Sequence, residues 1–256
     1  MTSVDTDSPQ FRDALDTARR ALQRGGPLVV LSGAGMSAES GVPTFRDAQT
    51  GLWERYDPTD LATPEAWRAD REMVWAWYRW REHLITSTTP HAGHVAIARA
   101  AAHREVEVVT QNVDDLHERA GSPVVHHVHG SLFAHRCDTC ATPIEVSPPP
   151  PEPVDRLEPP HCTRCDGRAR PGVVWFGETL PRAPWEAAVR AVTAAGVVVV
   201  VGTSGLVYPA ASLPGLAAQA GAPVIEINPG PSGLGDEVDV HLPAPAGQVL
   251  PALLAS

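Results

Sequence analysis

The sequence predicts an α/β chain built on a doubly wound parallel sheet, and three observations predict it. Short all-apolar strands recur along the chain. Helix-compatible segments separate most of them, and the first strand runs straight into a glycine-rich loop. The chain has 256 residues, enough for one large α/β domain or for such a domain with a smaller one inserted. Hydrophobic residues make up 43% and charged residues 20%, which suits a substantial core and argues against wholesale disorder.

Residues 1–10 read as a polar tail. Phe11, Leu15, Ala18 and Leu22 recur at helical spacing, so Phe11–Arg24 is expected to be an amphipathic helix, stopped by Gly25-Gly26-Pro27. Leu28–Leu31 is an apolar strand of the kind buried on both faces of a parallel sheet. Further strands are expected at Glu105–Thr110, Val124–Val128, Val197–Val201, Pro223–Ile227 and Val238–Leu242. Two stretches break the alternation. Asp47–His94 carries Trp53, Trp67, Trp75, Trp77 and Trp80 and is expected to be helical from Pro64 to Leu84. Cys137–Cys165 has a proline-rich centre, expected to be a surface loop. We therefore expect residues 11–46, 95–133 and 171–256 to form the sheet domain. The helical insertion 47–94 and the cysteine module 134–170 together form the small one. No internal repeat is seen.

The formal charge is −10. A four-thiolate zinc site would bring it to about −12. Such a balance disfavours general nucleic-acid binding, which needs clustered Lys and Arg, and suits basic, lysine-bearing partners better. The first ten residues lack an apolar signal-peptide core, and the longest apolar run, Gly196–Gly202, is too short to span a bilayer. A cytoplasmic location is the expectation, with no membrane partner. There, four cysteines serve more readily as metal ligands than as disulfides.

Cys137-x2-Cys140 and Cys162-x2-Cys165 are two knuckles, and together they make a closed four-sulfur site for one structural Zn. No cysteine is left over and no open coordination position is implied. The strand–Gly33-Ala34-Gly35–helix arrangement suits a pyrophosphate: small residues let backbone N–H groups approach, and a helix N-terminus adds a favourable dipole. Taken alone it fits a simple tight turn equally well. The third glycine, Gly41, comes too late for a dinucleotide fingerprint, which disfavours a hydride-transferring dehydrogenase. His126, His127 and His129 lie close together, and spacing alone does not choose a base among them. Strand alternation would set Val128 opposite His127 and His129.

The longer string GAGMSAESGVPTFRD, from Gly33, resembles the signature of the sirtuin (silent information regulator) family, in its class III-like bacterial branch. The resemblance continues in TQNVDDLH (Thr110–His117), HVHGS (His127–Ser131), the paired CxxC motifs, VVWFGE (Val173–Glu178), GTSGLVYPA (Gly202–Ala210) and EIN (Glu226–Asn228). These run in the family's order from about residue 28 to the C-terminus. The resemblance implies a Rossmann-like NAD-binding domain with the smaller inserted zinc-binding and helical domain. It also implies an NAD-dependent protein-lysine deacylase. NAD is consumed: the acyl-lysine amide oxygen attacks the ribose as nicotinamide leaves, a ribose hydroxyl then attacks the resulting alkylimidate, and water completes the release of free lysine and O-acyl-ADP-ribose. The family pattern selects His129 as general base, a role suited to imidazole, with Asn112 beside it in the catalytic set.

By the same resemblance Gly33, Ala34 and Gly35 line the pyrophosphate and ribose. Ser37, Phe45 and Arg46 belong to a loop closing over NAD. Gln111, Asn112 and Asp114 hold the nicotinamide ribose and carboxamide; Asp114 could also be a helix N-cap. Gly202, Thr203 and Ser204 face the adenosine side, Asn228 reaches the adenine ribose, and the backbone at Ala246-Gly247 contacts adenine. Val174, Phe176, Gly177 and Glu178 flank the acyl-lysine-bearing protein, pairing with it as an added strand, and Tyr208 lies near the same tunnel. Tyr78 and Arg81, at i and i+3 on one helix face, match the Tyr-x-x-Arg pair of sirtuins that remove acidic acyl groups. A guanidinium and a phenol suit a succinyl or malonyl carboxylate. The same spacing also fits an ordinary amphipathic helix whose Arg faces water. Three other readings compete: a mono-ADP-ribosyltransferase, a non-enzymatic zinc-containing NAD sensor, and the dehydrogenase.

Overall fold

The computed structural model describes residue 6 and residues 8–42, 57–230 and 232–255. Its strands in chain order are β1 (Leu28–Ser32), β2 (Val106–Thr110), β3 (Val125–His127), β4 (Gly130–Cys137), β5 (Ala169–Val173), β6 (Val197–Val201), β7 (Val224–Ile227) and β8 (Val240–Leu242). The helices are α1 (Pro9–Leu22), α2 (Ala34–Ala38), α3 (Pro58–Leu61), α4 (Pro64–Ala69), α5 (Arg71–Thr86), α6 (Ala92–Ala100), α7 (Leu116–Arg119), α8 (Arg182–Ala194), α9 (Leu213–Gln219) and α10 (Ala246–Leu253). Six strands pair in parallel in the order β3-β2-β1-β6-β7-β8, while β4 and β5 form a separate antiparallel pair.

Every residue of β1 and β6 is buried, because both faces of the sheet are covered. Leu28, Val30, Val197 and Val199 point into a core closed by α1, α6 and α10. Val29, Leu31, Val198 and Val200 point the other way, into a core closed by α8 and α9. A third apolar cluster joins α3, α4 and α5 to β4 and β5, with Trp75 and Trp77 fully buried in it. The strand order reverses between β1 and β6, so the loops leaving their carboxyl ends part and open a crevice there. Among the described residues no helix is long and apolar enough to cross a membrane.

The sequence expectation of one helix from Pro64 to Leu84 meets a break. Asp70 adopts φ −152° and ψ 84°, ending α4, and its carboxylate accepts from the Met73 N–H at 3.1 Å to cap α5. The alternation expected of His127 and His129 does not hold either, since β3 ends at His127 and the chain turns at Val128-His129. The proline-rich spacer has little regular structure yet is tied down. Arg156 pairs with Asp70 (2.7 Å) and Glu72 (3.0 Å), the Leu157 N–H donates to Glu72 O, and Arg79 reaches the Ser147 carbonyl.

Behind β1 lie three histidine rings in edge contact, His91–His94 at 4.3 Å and His94–His117 at 4.8 Å between centroids. His117 Nε2 meets Ser32 Oγ at 2.9 Å, and neither ring nitrogen of His94 has a partner among the described residues. Burial, with the neighbouring rings, pushes His94 down to about 2; burial pushes His117 down to about 4. Both rings are thus neutral in the fold, whereas the unfolded chain protonates them near their ordinary value of 6.5. Their stabilisation is full above pH 6.5 and is lost as pH falls toward 4, at up to about 1.4 kcal/mol per pH unit for each proton. Urea midpoints measured from neutral pH downwards should fall across that window, and less steeply in His94→Leu. An equally steep fall in the variant would contradict the buried neutral ring.

Candidate active site

The crevice at the strand reversal is a cleft of about 560 Å³. Its floor is two loops bonded backbone to backbone. The Gly33 N–H donates to Val201 O at 2.9 Å and the Gly35 N–H to Gly202 O at 2.8 Å. The approach demands glycine on both sides: a Cβ on Gly35 would stand 2.8 Å from Gly202 Cα, and Gly202 itself sits at φ +59°. Gln111 Nε2 spans the loops to Thr203 Oγ1 at 3.1 Å, and Asn228 Nδ2 donates to Thr203 O at 3.1 Å.

Next to the first loop sits a buried polar chain. Asn112 Nδ2 donates to Gly33 O at 3.0 Å and to Ser37 Oγ at 2.8 Å, and Ser37 Oγ donates to Asp114 Oδ2 at 2.7 Å. Asp114 Oδ1 accepts from the Leu116 N–H at 3.1 Å, so this carboxylate both holds the start of α7 and faces the cleft. Burial raises its pKa, against the Ser37 and Leu116 hydrogen bonds that lower it.

The structure separates the three neighbouring histidines. His126 Nε2 meets Glu107 at 2.7 Å. His127 is held between Asn112 O at 3.0 Å and Glu118 Oε1 at 2.6 Å. Burial opposes its charge, but Glu118 and the Asn112 carbonyl prevail and its pKa rises. His129 alone of the three lines the cleft. Its Nδ1 lies 3.1 Å from Gln111 O, and a carbonyl only accepts, so Nδ1 carries the hydrogen and Nε2 keeps its lone pair. Burial lowers its pKa against that bond.

The opposite wall comes from α5 and the segment after β5. Tyr78 and Arg81 are both buried and both line the cleft, so Arg81 is not a water-facing residue of an ordinary amphipathic helix. Trp175 Nε1 donates to Tyr78 Oη at 2.9 Å, and Arg81 lies 5.1 Å from the Trp77 ring centre. Val174, Phe176, Gly177, Glu178 and Tyr208 line the cleft too, with Phe176 and Tyr208 exposed at its mouth. The Glu178 carboxylate is engaged by Arg170 at 2.7 and 2.9 Å. Trp175, Ala62 and Ile85 line the cleft without having been singled out in the sequence. Trp175 stands inside VVWFGE, which could have exposed it, whereas nothing in the text around Ala62 or Ile85 does. Ala246 is not part of the lining. It is buried at the start of α10, where the Gly247 N–H donates to Glu39 at 3.0 Å. Phe45 and Arg46 lie outside the described residues.

At the far end of β4 and β5 the sulfur atoms of Cys137, Cys140, Cys162 and Cys165 lie within 4.8 Å of one another. The Cys137–Cys165 and Cys140–Cys162 sulfurs are 3.5 and 3.7 Å apart. Metal–sulfur bonds of about 2.3 Å in a tetrahedron require sulfur separations of about 3.8 Å. Backbone N–H groups of Thr139, Cys140, Arg164 and Gly167 point at these sulfurs at 3.4 Å, as suits thiolates. The donor set could hold one tetrahedral metal ion.

The Sir2 family model matches residues 33–209. A Mycobacterium tuberculosis protein named NAD-dependent protein deacylase is 54% identical over 228 residues, covering 89% of this chain and 96% of the relative. A Pseudomonas putida protein of the same name is 50% identical over 244 residues, covering 94% and 93%. A crystal structure of a Sir2 homologue–NAD complex superposes with a TM-score of 0.84 at 44% identity, covering 95% of this chain and 92% of that one.

The contact between the loops yields a direct test. Gly35→Ala should destabilise the chain by about 1–3 kcal/mol, because the methyl meets backbone and not a flexible side chain. A urea midpoint equal to the parent's would show that the two loops can move apart.

Proposed function

The chain belongs to the Sir2 family, and from that premise we propose that it is an NAD-dependent protein-lysine deacylase with a preference for succinyl and malonyl groups over acetyl. The observation that carries the reading is one cleft lined by His129, by Asn112 and Asp114, and by Tyr78 and Arg81. The names of the relatives support deacylation and do not favour the mono-ADP-ribosyltransferase alternative.

NAD, when bound, supplies an electrophilic ribose carbon from which nicotinamide departs. The chain's own groups do the rest. Gly33, Ala34 and Gly35 line the cleft with almost no side chain and so leave room for a pyrophosphate, with Ser37 behind them; the Gly33 and Gly35 N–H groups are already engaged by the second loop. Gln111, Asn112 and Asp114 offer the amides and carboxylate that ribose hydroxyls and a carboxamide require. Thr203, Ser204 and Asn228 suit the adenosine side, next to Gly202, and the exposed Phe176 with Val174, Gly177 and Tyr208 suits the peptide. His129 acts as general base through Nε2, the nitrogen left with its lone pair. Tyr78 and Arg81 receive the distal carboxylate. Burial pushes the Tyr78 phenol up, so it stays protonated and can donate, while a guanidinium keeps its charge when buried. The four-cysteine site holds zinc, as a structural ion remote from the reacting atoms. Those same cysteines, kept as ligands, fit a cytoplasmic location.

The test is one peptide carrying acetyl-, succinyl-, malonyl- or glutaryl-lysine, incubated with NAD while nicotinamide and free-lysine peptide are both quantified. The 20 Lys+Arg residues of the chain are all Arg, so the enzyme contributes no lysine signal of its own. Acidic acyl groups should turn over faster, and Arg81→Met should remove that preference. Equal efficiency on acetyl and succinyl peptides, moved by neither Arg81→Met nor Tyr78→Phe, sinks the preference. His129→Asn should lose about 10²–10⁴-fold in kcat. Since the base works unprotonated and its pKa is lowered, kcat/KM should fall on the acid side with a midpoint below 6.5. Metal analysis should find one zinc per chain in the parent protein and none in a Cys140→Ser, Cys165→Ser variant.

A further inference from the structure

The hydroxyl of Tyr78 is committed to one direction by a residue outside the Tyr-x-x-Arg pair. A phenol has one hydrogen and two lone pairs, while an indole N–H can only donate. The 2.9 Å contact from Trp175 Nε1 therefore falls on a Tyr78 lone pair. The phenol hydrogen must point elsewhere, and none of the hydrogen bonds of the described residues takes it up. Tyr78 and Trp175 are each 2% exposed, and both line the cleft. The cleft that both residues line leaves that hydrogen free to meet an acceptor entering it.

The indole is held rigidly for this task. The Arg170 guanidinium carbon stands 3.4 Å from the Trp175 ring centre. Arg170 is fixed in turn by both oxygens of Glu178, at 2.7 and 2.9 Å, and by Val173 O at 3.2 Å. Glu178 Oε2 also accepts from the Trp175 backbone N–H at 2.9 Å, so side chain and backbone of the tryptophan are clamped by one ion pair. The Trp67 ring packs on it at 5.7 Å. A cation over an indole face draws electron density from the ring, which makes the N–H a better donor.

We propose that Trp175 is a positioning residue for acyl-chain selectivity: its indole N–H occupies the Tyr78 oxygen and turns the phenol into a fixed hydrogen-bond donor aimed at the end of the acyl chain. This rests on the reading of Tyr78 and Arg81 as the pair that receives an acidic acyl group. A carboxylate accepts that hydrogen, and an acetyl methyl does not. The Arg170–Glu178 pair acts one step further back, by fixing the plane of the indole.

Trp175→Phe keeps a ring for Arg170 to stack on and deletes the N–H. The measurement is kcat and KM on succinyl- and acetyl-lysine versions of one peptide, for the parent, Trp175→Phe, Tyr78→Phe, their double variant and Arg81→Met. The succinyl-to-acetyl ratio of kcat/KM should fall about three- to tenfold in Trp175→Phe. The fall should come mostly through KM for the succinyl peptide. The double variant should match Tyr78→Phe alone, because without the hydroxyl the indole has nothing to orient. A Trp175→Phe variant that loses equally on both peptides, or on neither, overturns the proposal. An unaltered succinyl KM in Tyr78→Phe overturns it as well, even if Trp175→Phe does not fold. A parent enzyme that prefers succinyl while Trp175→Phe keeps the full ratio removes only the role of Trp175. A parent without preference, unmoved by Arg81→Met, removes the acidic-acyl reading and this proposal with it.

Discussion

The structure depends on the backbone bond between Gly35 and Gly202. It joins the loops after β1 and β6, where the strand order reverses, and so sets the floor of the cleft. Two strands, apolar but for Ser32, deliver the loops to within bonding distance, because both are buried on both faces and are locked in register from Leu28↔Val197 to Ser32↔Val201. Once the loops meet, Asn112 finds the Gly33 carbonyl and the Ser37 hydroxyl, and Gln111 finds Thr203. The polar chain of the site is thus a consequence of strand packing. It then adds rigidity, since each of its buried groups would be costly without its partner.

The second wall is built differently. α5 owes little to the main sheet and much to the small antiparallel pair and its spacer. Buried Arg79 binds Glu82 at 2.5 Å and meets His135 of β4 at 3.1 Å, while Arg156 from the spacer grips the α5 N-terminus at Asp70 and Glu72. Trp67 in α4 donates to Asp138, the residue after Cys137, at 3.1 Å. The cysteine module is therefore mechanically continuous with the helix that carries Tyr78 and Arg81, although its sulfurs take no part in lining the cleft.

How much of this was legible in the sequence follows from how local each signal is. β6 was readable to the residue, since five valines in a row are compatible with a strand buried on both faces and little else. The ends of β3 and β8 were not, because a strand stops where a turn or a neighbour takes over its hydrogen bonds. Val128 turns although it is β-branched and fully buried, as a strand residue would be. The break at Asp70 carried a local signal, a capping residue three before Met73, masked by the helical period running across it. The cleft lining of the glycine loops, Asn112 and His129 was legible through motif strings. The choice of His129 over His126 and His127 has a physical basis only in three dimensions: the other two are taken by Glu107 and Glu118. The bond from Trp175 to Tyr78 links residues 97 apart, and no periodicity could have announced it.

Three arginines of α5 and β5 are buried where a lysine would serve less well. Arg79, Arg81 and Arg170 are 3%, 8% and 8% exposed. A lysine ammonium at such depth readily gives up its proton, and then neither pairs with a carboxylate nor stacks usefully on an indole. Burial lowers the pKa of Arg79 and Arg81 too, but a guanidinium is basic enough to keep its charge at any working pH. The planar fork does the remaining work. Arg170 binds two Glu178 oxygens in its own plane while presenting its face to Trp175, a combination that a tetrahedral ammonium cannot reproduce. Every permanent side-chain cation of this chain is an arginine, and at these three buried positions the retained charge and the planar fork of the guanidinium have a structural use.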